Sequence, residues 1–234
     1  MRYKLHVLGW TLIWSGVFIF GYVGWQLWVT DWINTGVQAE AAAGLESSLA
    51  ADGPSGEQFD TDDLFEGGER PSGVPETVEF YREEEPDVGE SFAFLTIPSI
   101  GLEEVVLYEG VDTQTLRSGP GHMPATPLPG QPGNSVVSGH RTTHGRPFFD
   151  FDQLETGHRI EVETSVGTHV YEVREIEVVQ PTDVWVTDPR PGGWLTLTTC
   201  EPKFSARQRL VVFAEMVAGP NLDYIRLDQT ASGL

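Results

Sequence analysis

The sequence predicts an all-β domain carried behind one transmembrane helix and an acidic, disordered linker. Three observations predict it. Residues 8–29 form an apolar run with no charged side chain. Residues 32–91 are rich in Gly, Pro, Ser, Asp and Glu and poor in aliphatics. From Ser91 onward, short runs of apolar and β-branched residues recur between Gly- and Pro-rich turns. The expected units are 1–31, a cytoplasmic stub and membrane anchor; 32–91, the linker; 92–218, the β-domain; and 219–234, a short polar tail.

The first run, LGWTLIWSGVFIFGYVGWQLWV, is long enough to cross a bilayer as a helix, which satisfies its backbone amides internally. Arg2 and Lys4 precede it and Asp31 follows it. The positive-inside rule then places the N-terminus in the cytoplasm and the β-domain outside, on a single-pass plasma-membrane anchor. Trp10 and Trp14 at one end, with Trp25 and Trp28 at the other, suit interfacial aromatic belts. A cleaved signal peptide is the rival reading. Its apolar core is shorter, and the small residues Ala39 and Ala41–Ala43 lie well past the run, so a retained signal anchor is expected.

The formal charge of −21 is concentrated in one place. Between Asp31 and Glu90 lie about 17 acids against Arg70 and Arg82 only. Such a run repels itself and reads as a solvated tether, and no basic stripe is left for a nucleic-acid partner. Within it, Val74–Pro86 could form a short helix that sets Val78, Phe80 and Tyr81 against the domain.

Strands are expected at Phe92–Ile97, Glu104–Tyr108, Asn134–His140, Arg159–Thr164, Val170–Val179, Trp194–Thr199 and Arg209–Val217. Brief helices are expected at Thr113–Arg117 and Phe148–Leu154. Short strands joined by turns point to a barrel or a sandwich.

Cys200 is the single cysteine and has no partner for a disulfide within the chain. A lone cysteine is often an inert buried apolar residue, but an unpaired thiol in an exported protein is a candidate nucleophile. His158 and His169 flank a predicted hairpin and read as surface residues. His122, His140 and His144 remain as possible bases. His140 closes one predicted strand and Cys200 another, and rigid strand ends fix catalytic geometry well. Arg209 opens the strand after Cys200. If those two strands pair antiparallel, its guanidinium returns beside the thiol and can hold an oxyanion. Arg207 competes for that role. The histidines and carboxylates show no metal-ligand spacing, and no phosphate loop or dinucleotide fingerprint is present, so no metal or cofactor is expected.

These residues resemble a family. Thr196-Leu197-Thr198-Thr199-Cys200, followed nine positions on by Arg209, is similar to the sortase signature TLxTC…R. Gly139-His140-Arg141 resembles the family's histidine motif, Leu95–Leu102 its first strand, and the run from Gly119 to Asn134 its class E branch. The resemblance covers roughly residues 93–217. It implies an eight-stranded β-barrel and a cysteine transpeptidase. Cys200 would cleave an LAXTG- or LPXTG-like sorting signal between Thr and Gly and form a thioacyl enzyme. An amine on a lipid II-type peptidoglycan precursor would resolve it. His140 would be acid and base, Arg209 would hold the substrate backbone and oxyanion, and Thr199 would assist in substrate binding. The implied partners are surface proteins bearing that signal. Two alternatives stay open: a pilin-polymerising sortase, and a non-catalytic membrane-tethered β-domain that binds a wall component. An L,D-transpeptidase is disfavoured, because Cys200 follows Thr-Thr and its SHGC-type motif is absent.

Overall fold

The computed structural model describes residues 2–25, 30–51, 56–65 and 70–232. The apolar run folds as helix α1 (Arg2–Gly24). Its stretch His6–Gly24 is unburied by the rest of the chain and is long and apolar enough to cross a membrane. Residues 26–29 of the expected span lie outside the described residues. So do 52–55 and 66–69 of the expected linker and 233–234 of the tail.

The expectation of a disordered linker is corrected over most of its described length. Residues Thr30–Ala51 form helix α2. Its docked face is Asn34, Gln38, Ala41, Ala42, Leu45 and Leu49, spaced three and four apart as one helix face requires. Two of these six side chains are amides that hydrogen-bond and two are alanines, so the stripe is not legible as a hydrophobic period. Strands β1 (Gly56–Asp60) and β2 (Thr77–Tyr81) then pair antiparallel. Strand β2 corrects the short helix expected there: Val78 and Phe80, two residues apart, are the buried pair, which is the strand period. The tail is not featureless either, since Leu222–Ala231 forms helix α4 and buries Ile225. Phe59, Phe80 and Tyr224 of α4 make one aromatic cluster with centroids 4.5–5.8 Å apart.

The domain itself is a closed eight-stranded barrel. Its strands are β3 (Ser91–Ile97), β4 (Leu102–Glu109), β5 (Gly121–His122), β6 (Gly133–Ser138), β7 (Arg159–Thr164), β8 (Gly167–Val179), β9 (Gly193–Glu201) and β10 (Gln208–Ala218). Helix α3 (Thr113–Ser118) joins β4 to β5, and Asp112 caps it by accepting from the amides of Gln114 and Thr115. Phe151–Gln153 is a 3₁₀ turn where a short helix was expected. Around the barrel the order is β10-β8-β7-β3-β4-β5-β6-β9, closing on β10. All pairs are antiparallel except β4/β5 and β6/β9.

Alternation along the strands separates two faces. Leu95, Ile97, Leu107, Val137, Ile160, Val162, Tyr171, Val173, Leu195, Leu197, Leu210 and Val212 fill the interior. Two patches of the outer wall are also covered. Leu45 of α2 lies with Phe94, Val106 and Tyr108. The β8–β9 connection brings Val186 against Val179, Val211 and Phe213, with Trp194 alongside. Trp194 therefore sits half-buried on the outer wall. His169, expected at the surface, is fully buried: it lies on the inward-facing set of β8 against Gly130 and Gly219.

Candidate active site

Strands β6, β9 and β10 lie side by side, and their register decides which side chains meet. Ser138 of β6 is opposite Thr198 of β9, which is opposite Val211 of β10. The hydroxyls of Ser138 and Thr198 are 2.9 Å apart, so their side chains share one face. Leu197 and Leu210 fill the core, so this face is the outer one. Two residues further along, the same face carries Cys200 and Arg209, which are direct cross-strand partners. Two residues beyond Ser138 comes His140. Strand β6 ends before it, but the Gly139 amide still donates to the Thr198 carbonyl (3.0 Å), continuing the pairing toward Cys200. The thiol, the imidazole and the guanidinium thus follow one another across three adjacent strands at one rim of the barrel.

Cys200 is half-buried and free of disulfide. Arg209 is half-buried, and its Nη1 donates to the carbonyls of Ala206 (3.2 Å) and Gln208 (3.0 Å). Arg207 is exposed and lies in the loop before β10, outside the ladder. The His140 ring stacks on His144 at 4.8 Å. Burial holds its imidazole below the ordinary value, and the neighbouring charges of His144 and Arg117 push it the same way. At neutral pH the ring is therefore uncharged and able to take a proton.

Three bonds tie the histidine segment to the cysteine strand. Besides the Gly139 amide, the Thr199 hydroxyl donates to the Gly139 carbonyl (2.7 Å), and Arg141 Nη1 donates to the Cys200 carbonyl (3.2 Å). Thr199 is buried and faces away from the thiol, and its hydroxyl holds the segment before His140. Sequence reasoning placed Arg141 only within the histidine motif. A single cation beside a predicted strand end carries no local sign of burial, because its acidic partners Asp152 and Glu201 are distant in sequence.

His122 is buried in β5, with Nδ1 on Glu109 (2.7 Å) and Nε2 on the Pro127 carbonyl (2.9 Å). It ties β5 to β4 and to the next loop and takes no part in the rim. Among the described residues, no three His, Cys, Asp or Glu side chains gather as a metal site would require.

Residues 95–217 match the family model for the sortase domain. The chain is 33% identical to Sortase SrtE1 of Streptomyces coelicolor over 226 residues, covering 90% of this chain and 56% of that protein. It is 31% identical to Sortase D of Bacillus subtilis, covering 88% and 96%. Among solved structures, sortase E from Streptomyces avermitilis superposes with a TM-score of 0.53 at 36% identity, over 58% of this chain and 94% of that one.

Proposed function

The chain belongs to the sortase family, with class E-like character, and we propose that it is a membrane-anchored transpeptidase acting on sorting signals of the LAXTG or LPXTG type. The observation that carries the reading is the rim itself: Cys200 and Arg209 are paired across one ladder, with His140 entering alongside.

In this reading the neutral imidazole of His140 takes the thiol proton, and the Cys200 sulfur attacks the carbonyl carbon of the signal's threonine. Charge develops on the carbonyl oxygen. Arg209, with Nη1 held by the carbonyls of Ala206 and Gln208, offers its remaining N–H groups to that oxygen and to the substrate backbone. The bond to glycine breaks, and His140 returns the proton to the leaving amine. A thioester joins the threonine acyl group to Cys200. An acceptor amine then attacks this thioester and gives its extra proton to His140, and the thiolate leaves. A cell-wall precursor of the lipid II type is the acceptor. Helix α1 crosses the plasma membrane once, with the barrel outside, close to that lipid-borne amine. The clients are surface proteins carrying the signal.

The test is direct. The protein is incubated with LAXTG and LPXTG peptides and weighed intact. Wild type gains the acyl mass from at least one peptide, and Cys200→Ala gains none. If wild type forms no adduct with any such peptide, the reading fails.

A further inference from the structure

A buried cation next to the catalytic rim is unused by the reaction above. Arg141 is 2% exposed. A guanidinium taken out of water costs free energy unless its donors are matched. Here each of its three nitrogens has a partner. Nη1 donates to the Cys200 carbonyl (3.2 Å) and pairs with Glu201, Nη2 meets Asp152 (3.0 Å), and Nε faces the Phe149 carbonyl (3.4 Å). Lys203 closes the group by pairing with Asp152 (2.9 Å).

We infer that Arg141 is a positioning residue of the transfer reaction: it grips the peptide carbonyl of the nucleophile and so fixes the distance between the thiol and the imidazole one residue before it. The inference rests on the reading of Cys200 and His140 given above. Its basis is covalent. Arg141 follows His140 directly, so a bond from its side chain to the Cys200 carbonyl couples the two reacting residues through one rigid fork. Strand β6 ends at Ser138, and the bonds that continue past it, from the Gly139 amide to the Thr198 carbonyl and from the Thr199 hydroxyl to the Gly139 carbonyl, stop one residue short of His140. The fork reaches two carbonyls and two carboxylates that lie in different directions. That geometry suits a planar guanidinium and not a single ammonium. Because the cation is matched by Asp152 and Glu201, its role is placement and not the field at the sulfur.

The experiment uses the full chain in detergent micelles, with turnover of an LAXTG-type peptide, alkylation of Cys200 by iodoacetamide and thermal melting read in parallel. Arg141→Lys and Arg141→Gln should lower kcat about 100-fold, the scale on which a misplacement of about 1 Å acts. KM should stay within about threefold, because Arg141 does not face the outer wall. Alkylation should slow as well, since iodoacetamide reacts with the thiolate that the imidazole helps to form. Asp152→Asn keeps the bond to the Cys200 carbonyl, and should lower the melting temperature while kcat holds within about threefold. Retention of kcat by Arg141→Lys would overturn the inference. So would a loss expressed in KM, or an equal loss of kcat in Asp152→Asn, which would assign the effect to stability. Arg141→Lys keeps the charge and decides the matter even where Arg141→Gln does not fold. Wild type that turns over no peptide would count against the reaction itself, whereas wild type that turns over beside an equally active Arg141→Lys counts against this inference alone.

Discussion

Acidification should destabilise the barrel through one buried ring. His169 is fully buried, and burial pulls its imidazole down to about 4 from an ordinary value of 6.5. A histidine depressed in the folded state contributes stability that is fully present above 6.5, and that is lost as the pH falls from there toward 4. The shift converts to about 2 kcal/mol lost at pH 5 and about 3 kcal/mol at pH 4. The surroundings leave little room for relief: a Cβ added at Gly130 would stand 2.3 Å from the ring. Nearby Glu83 works in the other direction, since burial raises its carboxyl and protonation on acidification relieves it. The wild type must therefore be compared with His169→Leu, in which Glu83 is retained. Urea denaturation of both proteins at pH 7, 5 and 4 supplies the assay. With a slope of about 1–3 kcal/mol per molar urea, the wild-type midpoint should fall by about 1–3 M more than that of the variant across this range. Parallel loss in the two proteins would refute the assignment to His169.

Arg209→Ala should cut peptide turnover by about 100-fold or more, while Arg207→Ala stays within about twofold, read as kcat/KM on an LAXTG-type peptide. His144→Ala removes a like charge and opens the His140 ring to water, and both changes raise its titration midpoint toward 6.5, measurable from its ring protons by NMR. Gln38→Ala removes a side chain bonded to both backbone groups of Val106, at an expected cost of about 1–3 kcal/mol in denaturant unfolding.

The barrel strands were legible because their outward and inward residues alternate, and because Gly and Pro mark their ends. Seven of the eight could be placed in this way. Gly121–His122 could not, since two residues are too few for any period to show. The segment before the barrel was misread for a different reason. Composition counts apolar residues, whereas α2 docks through Asn34 and Gln38 as well as through Leu45, and a hydrogen-bonding amide resembles a solvated one until its partner is known. In the candidate site, the thiol, the imidazole and the arginine could be singled out because all three sit at strand boundaries. Their register was not, and register decides between Arg209 and Arg207. His169 was misplaced because a strand's inward face can accept a polar ring wherever glycines make space, and no local pattern announces that.

Helix α2 has a bearing on how this protein can be cut. Strand β4 meets β5 only at Tyr108 and Glu109, so its earlier half faces a gap in the wall. The Gln38 amide fills that gap as a neighbouring strand would, accepting from the Val106 N–H at 2.9 Å and reaching its carbonyl, while the amide nitrogens of Asn34 and Gln38 also donate to the carbonyls that end α3. The helix acts as a stave laid over an open seam. A truncation that begins at Ser91 would keep every strand of the barrel and still leave that seam raw, ready to stitch onto the same strand of another molecule. A piece cut from this chain should therefore begin no later than Thr30, so that α2 stays whole.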